Sequence, residues 1–129
     1  MKKQLPTGFD SRQYMCSEDF EVFYYSDTAL QSVRSHSHDY YEFYFFLEGD
    51  VEYRIGDQCY PMEYGDCLLI PPDTPHCPHF FSNEHPYRRF VFWLSADCYR
   101  RLSQIDGDLT YCFDYAKRCQ FYRFHADTA

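Results

Sequence analysis

Short runs of apolar residues, separated by turn signals, cover most of the chain between residues 20 and 94. The clearest run alternates, because Val51, Tyr53 and Ile55 are apolar and the polar Glu52 and Arg54 stand between them. Alternation with a period of two is typical of a β-strand with one buried face. Further runs rich in β-branched or aromatic residues lie at 20–25, 40–47, 58–62, 67–70, 76–81 and 87–94. Many short strands at this spacing predict an all-β fold of antiparallel sheets, either closed as a barrel or double-layered.

The run at 40–47 is unusual because nearly every residue in it is aromatic. If Glu42 points inward, strand alternation places Tyr40, Tyr44 and Phe46 on the same inner face. The outer face then carries four apolar side chains: Tyr41, Phe43, Phe45 and Leu47. Both faces are apolar, so both must be covered. The barrel interior covers one, and a helix, the N-terminal strand or a second subunit covers the other.

The period changes at Ser95, and the pattern there predicts one short helix over residues 95–107. Ser95 is a favourable N-cap, Asp97 suits the positive end of a helix dipole, and Gly107 can end the helix. The helix has one apolar stripe, made of Tyr99, Leu102 and Ile105. We expect this stripe to pack on the outer face of the 40–47 strand.

The 129 residues suit a single domain. Within it we expect an irregular N-terminal arm at 1–19, the barrel strands at 20–94 and the helix at 95–107. The C-terminal segment at 108–129 contains two aromatic clusters, and its pattern does not favour one element type.

Composition narrows the range of functions. Aromatic residues make up 22% of the chain, which suits a lined cavity or a covered interface better than an aliphatic core. The formal net charge is -8, and an acidic surface repels phosphates, so we expect no direct contact with nucleic acid. No apolar run approaches the ~20 residues of a membrane span.

The seven cysteines are odd in number and lack C-x-x-C spacing, and no secretory signal precedes them. We therefore expect free thiols and a cytoplasmic location.

Three side chains able to bind a metal share one face of a single segment. His36, His38 and Glu42 are separated by even numbers of residues, so on an extended strand they point to one side. Residues four apart on a straight strand lie ~13 Å apart, so their convergence on one ion needs a bend, which we expect at 39–41. His76 follows a proline-rich turn and is expected to join them. We predict a divalent metal here, either Zn, Ni, Fe or Mn. The alternative is that these residues hydrogen-bond an organic ligand.

The same residues carry a resemblance to the cupin superfamily. The first cupin motif, H-x-H-x3-E-x6-G, is matched at every fixed position, by His36, His38, Glu42 and Gly49. The second motif, G-x5-P-x-G-x2-H-x3-N, is matched by Gly65, Pro71 and His76. It is not matched at Asp73, where the family has Gly, nor at Phe80, where it has Asn. The resemblance implies a double-stranded β-helix, or jelly-roll, barrel.

More of the chain resembles the N-terminal sensor domain of AraC-type transcriptional regulators. The resemblance rests on H-x-H-D-Y-Y-E-F at 36–43, on G-D-C-L-L-I-P-P at 65–72 and on the strand at 87–94 that leads into a helix. In that family a cupin-like barrel binds a small effector, often a sugar, and a following helix mediates dimerisation. A C-terminal pair of helix-turn-helix units binds DNA. The resemblance implies that this chain is the sensor part, able to form a homodimer, and that the DNA-binding part is missing from it.

Two function classes are compatible with these residues. In the first, a regulatory barrel binds an effector through five candidate contacts: Arg34, Tyr40, Tyr44, Phe46 and Trp93. Arg88 and Arg89 are further candidates for anchoring a carboxylate or sugar hydroxyls. In the second, the metal acts as a Lewis acid in a small cupin enzyme of dioxygenase or isomerase type. The resemblance to AraC-type sensors and the departures in the second motif favour the regulatory module over the enzyme.

Overall fold

The computed structural model describes residues 8, 9 and 11–126. Its strands and helices are β1 Phe20–Asp27, β2 Tyr41–Glu48, β3 Val51–Ile55, β4 Gln58–Pro61, β5 Asp66–Ile70, β6 His76–Phe80, β7 Tyr87–Leu94, α1 Ala96–Ile105, α2 Tyr111–Cys119 and β8 Arg123–His125. All strand pairs are antiparallel, and the predicted all-β jelly-roll fold is confirmed. The predicted arm at 1–19 and C-terminal segment at 108–129 extend beyond the described residues, which omit 1–7, 10 and 127–129.

The strands form two sheets that pack face to face. One sheet has the order β1-β7-β2-β5-β8, and the other has the order β4-β3-β6. Contacts between the inner faces join them. The ring of Tyr44 on β2 lies 5.0 Å from the ring of Tyr53 on β3. A carboxylate oxygen of Glu42 on β2 lies 3.2 Å from a ring nitrogen of His76 on β6. The side chains that carry chemistry therefore lie between the sheets.

Strand β2 has the predicted inner and outer faces. Glu42, Tyr44 and Phe46 are buried, and the residues between them are only half-buried. Because β2 is the middle strand of the five-stranded sheet, paired with both β5 and β7, its register fixes which side chains reach the barrel interior.

Helix α1 begins where the sequence predicts. The Ser95 hydroxyl accepts a hydrogen bond from the N–H of Cys98 at 3.1 Å, which caps the helix. The helix ends two residues before the predicted boundary, because Asp106 has extended φ and ψ angles of -158° and 121°. The Asp106 carboxylate accepts a backbone N–H at 3.0 Å and so begins a separate 3-10 helix, Gly107–Leu109.

The C-terminal region contains a second helix, α2, where the sequence predicted only one helix. Phe113 and Ala116 are the only buried residues on α2, so its apolar stripe is too narrow for the periodicity to reveal. Thr110 makes no side-chain capping hydrogen bond. The helix ends at Gln120, whose φ of 49° lies in the left-handed region where glycine is the usual signal. These features explain why the pattern did not indicate a helix here.

The outer face of β2 contacts both helices at Tyr41 and borders a groove with α2 and β8 at Phe43, so α1 covers less of it than predicted. The Tyr41 ring stacks on Tyr99 of α1 at 3.9 Å and meets the edge of Phe113 of α2 at 5.1 Å. Phe43 lies in a groove formed with residues of β5, α2 and β8. Ile105 of α1 is 76% exposed, and no residue of α1 is buried. The expected packing of α1 on this face is therefore found only at the Tyr41 end.

Within the described residues, no helix is long and apolar enough to span a membrane. All seven cysteines belong to the described part of the chain, and all are free thiols. Burial raises the pKa of Cys67 and of Cys77. Neither thiol is therefore activated as a nucleophile by its surroundings.

Candidate metal centre and cavity

Two backbone features bring the four predicted metal residues together. His36 forms an isolated antiparallel bridge with His76, the first residue of β6, through N–H to carbonyl bonds of 3.1 and 2.9 Å. The chain then bends at 39–40, immediately before β2 begins. This is the predicted bend, and it allows His38 and Glu42 to approach each other although they are four residues apart.

The loop at 71–75 fixes the segment that carries His38. The N–H of Asp73 donates to the carbonyl of His38 at 2.8 Å. Asp73 has a φ of 61°, in the left-handed region that favours glycine. Aspartate visits this region more readily than most other residues. The second cupin motif has glycine at this position, so the substitution departs from the motif without changing the backbone conformation that it requires.

The ligand atoms of the four residues converge on a small volume. Those of His36, His38 and His76 all lie within 4.8 Å of one another. Glu42 Oε2 lies 3.6 Å from His38 Nε2 and 3.2 Å from His76 Nε2. Two ligand atoms that each lie ~2.1 Å from one ion are at most ~4.2 Å apart. Small side-chain shifts would therefore bring the cluster onto one ion.

Each histidine is oriented by the main chain on the side away from the cluster. Nδ1 of His36, His38 and His76 lies 2.8–3.0 Å from a carbonyl oxygen two residues away. A carbonyl only accepts hydrogen bonds, so Nδ1 carries the proton and Nε2 of the neutral ring keeps its lone pair. His38 Nε2, His76 Nε2 and Glu42 Oε2 are buried with no hydrogen-bond partner among the described residues. This donor set fits a divalent cation.

The electrostatics of the cluster keep Glu42 ionised. Burial alone would raise the pKa of the carboxyl group, but its favourable interactions with the His38 and His76 rings outweigh burial and hold the pKa far below its usual value. Burial lowers the pKa of His76, but its contacts with Glu42 are stronger in sum and raise it. Desolvation lowers the pKa of half-buried His36. Three imidazoles and one carboxylate suit Zn, Ni, Fe or Mn.

The cluster borders a cavity of about 730 Å³. His36, His38 and Glu42 are part of its wall, so their side chains face the space that a small molecule would occupy. The volume is within the range of ~300–1,000 Å³ that is common for small-molecule sites. Phe80, which stands where the second cupin motif has Asn, also lines the cavity and adds apolar surface.

Three of the five predicted effector contacts line this cavity: Arg34, Tyr44 and Trp93. Tyr40 and Phe46 are buried, each with 2% exposure, but they are not part of the cavity wall. The Tyr40 ring instead stacks on the His38 ring, with 3.8 Å between ring centres and 3° between planes. Tyr40 therefore packs against a predicted metal ligand, and the effector-binding role of all five residues stays a prediction.

Two arginines, Arg89 and Arg12, line the cavity but are not among the five effector contacts predicted from the sequence. Arg89 is 6% exposed and lines the cavity, whereas the Nε of Arg88 donates to the Tyr24 hydroxyl at 2.9 Å. Strand alternation distinguishes Arg89 from Arg88, because Arg89 lies four residues before Trp93 on β7 and points to the same face. Arg12 from the N-terminal arm lies 5.4 Å from the Trp93 ring centre. No local pattern in the sequence signals this long-range contact.

Comparison with known proteins assigns the chain to a family. The cupin domain family model matches residues 29–93, just over half of the chain, so the chain belongs to the cupin domain family. The predicted cupin membership is confirmed, and the matched region contains His36, His38, Glu42 and His76. No curated protein matches the chain.

Solved structures share the fold at low sequence identity. The DMSP lyase DddQ from Ruegeria pomeroyi has a TM-score of 0.53 at 23% identity, over 62% of this chain and 40% of the lyase. A cupin 2 conserved barrel domain protein from Salinispora arenicola has a TM-score of 0.53 at 18% identity, over 75% of this chain and 77% of its own. A cupin protein from Bacteroides fragilis has a TM-score of 0.52 at 21% identity, over 74% and 87%. At these identities the similarity shows the fold alone, and the chain spans less than half the length of the lyase.

Proposed function

We propose that this domain binds a divalent metal ion and a small molecule side by side, and that it is the effector-sensing module of an AraC-type transcriptional regulator. The metal residues are His36, His38, Glu42 and His76. The observation that carries the proposal is the set of buried lone pairs without partners on two of these imidazoles and on the carboxylate. An unpartnered buried polar atom costs free energy, and one cation that binds all of these atoms removes that cost.

The small molecule is proposed to occupy the cavity of about 730 Å³ beside the cluster. When bound, the metal would supply a Lewis-acid centre that an oxygen or nitrogen of the ligand can coordinate. The chain's own side chains would hold the rest of the ligand. Tyr44 and Trp93 offer ring faces, and Arg34 offers a positive charge at the cavity wall.

The sensing role is supported by the AraC-type motifs at 36–43 and 65–72 and by the net charge of -8. Such a charge leaves DNA binding to a separate part of the regulator. We propose a cytoplasmic homodimer that uses α1, because no residue of this helix is buried within the chain and Ile105 is 76% exposed. The effector would act by binding one arrangement of the dimer more tightly than another.

A metal-dependent enzyme of dioxygenase or isomerase type is the second candidate. One observation favours it, since the metal residues include a complete set of three imidazoles and a carboxylate, and three of these four residues line the cavity. A bound molecule would then lie next to a Lewis acid. The DMSP lyase among the proteins of similar fold is consistent with this candidate.

One experiment separates the two candidates. Purified domain is loaded with Zn²⁺ or Mn²⁺, its metal content is measured, and a library of small metabolites is screened by thermal shift. Each stabilising compound is then recovered and analysed by mass spectrometry. A sensor returns the compound unchanged, whereas an enzyme returns a product. A parent protein that takes up neither metal, with the same content as the His36→Ala/His38→Ala variant, would contradict the proposed function.

A further inference from the structure

The cavity has a second polar end, built around the buried guanidinium of Arg89. Arg89 and Trp93 lie on the same face of β7, four residues apart. Their Cα atoms are therefore ~13 Å apart along the strand. Trp93 contacts Glu42 of the predicted metal cluster, so Arg89 lies farther along the cavity wall from this cluster. Arg89 is not part of either cupin motif of this sequence.

The Arg89 side chain keeps part of its hydrogen-bonding capacity unused. Nη1 donates to Asp27 Oδ2 at 2.5 Å and to the carbonyl of Tyr87 at 3.1 Å. An arginine has five N–H groups in a planar fork. The N–H groups on Nε and Nη2 bond to no other described residue. Asp27 thus fixes the orientation of the guanidinium from one side and leaves a planar edge for another partner.

A hydroxyl pair beside Arg89 has one further unused donor. The hydroxyl oxygens of Tyr44 and Tyr87 lie 2.5 Å apart, and both side chains line the cavity. Two hydroxyl groups carry two hydrogens, and their mutual bond uses one of them. Burial raises the pKa of Tyr87 to about 12, so its hydroxyl keeps its proton. The Arg89 guanidinium lies 3.9 Å from the centre of the Tyr87 ring, which places all of these donors in one region.

We propose that the cavity takes an extended organic anion whose carboxylate is held by Arg89 and the Tyr44–Tyr87 hydroxyl pair, and whose other end carries an oxygen or nitrogen that reaches the metal cluster. The metal end of this inference rests on the proposed function. A planar arginine edge matches the two oxygens of a carboxylate, and the neighbouring hydroxyl adds a third donor. A neutral amide offers one uncharged acceptor oxygen in place of the two of a carboxylate, so it would bind these donors more weakly.

The separation of the two ends sets the length of the ligand. Arg89 and Trp93, the partner of Glu42, start ~13 Å apart on β7, so we expect a two-carbon diacid to be too short to reach both ends. A diacid with a chain of several methylenes can place one carboxylate at Arg89 and the other at the metal. The rings of Tyr44 and Tyr53 lie along the wall and suit the apolar middle of such a molecule.

The test measures the binding of a series of α,ω-dicarboxylates to metal-loaded protein by isothermal titration calorimetry. The probes are oxalate, succinate, adipate and suberate, with neutral adipamide as the uncharged analogue of adipate. We expect adipate or suberate to bind more tightly than oxalate, and adipate to bind about 10- to 100-fold more tightly than adipamide, as charge-assisted hydrogen bonds imply.

Variants of Arg89 test whether this residue is responsible for the tighter binding of adipate. Arg89→Gln alone leaves the half-buried Asp27 without its ion-pair partner, so the double variant Arg89→Gln/Asp27→Asn is used beside Arg89→Lys, and circular dichroism checks that both fold. We expect each to weaken adipate binding by about tenfold or more. Arg88→Gln, on the opposite face of β7, leaves it unchanged. Equal affinity for adipate and adipamide, unchanged adipate binding in both Arg89 variants, or no binding by any diacid would overturn the inference. Metal content measured on the same samples tells this failure from failure of the proposed function.

Discussion

Trp93 donates its indole N–H to Glu42 Oε1 at 3.0 Å. The two residues are direct partners in the pairing of β2 with β7, so the sheet itself sets their alignment. Because the indole occupies Oε1, the second carboxylate oxygen is left facing His38 and His76, at 3.6 and 3.2 Å from their Nε2 atoms. An outer contact of this kind orients a metal-binding carboxylate.

Replacing Trp93 should therefore weaken metal binding although Trp93 is not itself a ligand. Trp93→Phe keeps an aromatic ring in place but removes the N–H that orients Glu42. Loss of such a contact commonly costs ~10- to 100-fold in metal affinity. Zn²⁺ titration against a competing chelator measures the loss, with Phe92→Leu on the neighbouring position of β7 as the matched control. The same Zn²⁺ affinity in Trp93→Phe and the parent would mean that the indole does not position the carboxylate.

Removing two of the predicted metal ligands should reduce metal binding more than replacing Trp93. His36→Ala/His38→Ala removes two of the three imidazoles of the cluster and should abolish metal binding, because a Glu and one His are too few ligands for a structural or catalytic site. The matched control is His79→Ala/His85→Ala, which removes two exposed histidines from the same chain. Elemental analysis after dialysis should find metal in the parent and the control only. Equal metal in all three proteins would place the binding site elsewhere.

Much of this site could be predicted from the sequence because it depends on local spacing. The even separations of His36, His38 and Glu42 indicated a shared face, and strand geometry required the bend that lies at 39–40. The alternation of β2 predicted that Glu42 and Tyr44 point inward, which their burial confirms. Each of these inferences uses a period of two or a distance along one strand.

The remainder depends on contacts between distant segments, which local patterns do not encode. The bridge between His36 and His76 pairs residues forty positions apart, and Arg12 reaches Trp93 from the N-terminal arm. Helix α2 has only two buried residues and no side-chain N-cap, so its signal was too weak to predict. Tertiary packing, rather than intrinsic propensity, stabilises a helix of this kind.

Metal affinity should fall as the pH falls, because an imidazole must be neutral to coordinate. The contacts with Glu42 raise the pKa of His76 above its usual value of 6.5, despite burial. A proton therefore competes with the metal for His76 at a higher pH than for an ordinary histidine, and affinity should still be rising with pH above 6.5. Zn²⁺ titrations across pH values from mildly acidic to mildly basic measure this trend. In Glu42→Gln, which lacks the carboxylate that raises this pKa, the rise should move to lower pH. An affinity independent of pH in the parent would exclude imidazole ligands.

The last prediction concerns Phe43, on the outer face of β2. Phe43 is half-buried and stands opposite Leu69 in the pairing of β2 with β5. It lies in the groove that α2 and β8 help to form. Phe43→Asp would place a carboxylate in this apolar groove without a partner. Because the ring is only partly buried, we expect a loss of about 2–3 kcal/mol in the free energy of unfolding, below the range of fully buried phenylalanines. Urea unfolding measures the loss, and Phe81→Asp, at an exposed loop position, is the control.

Sedimentation of the same Phe43→Asp protein distinguishes coverage within the chain from coverage by a second subunit. If α2 and β8 cover the ring, stability falls and the mass in solution stays the same. If a second copy covers it, the parent sediments as a dimer, and the variant sediments as a folded monomer of unchanged intrinsic stability. Should neither stability nor mass change, the side chain of residue 43 would be facing water. The groove that α2 and β8 help to form would then leave Phe43 uncovered, against the packing described for the outer face of β2.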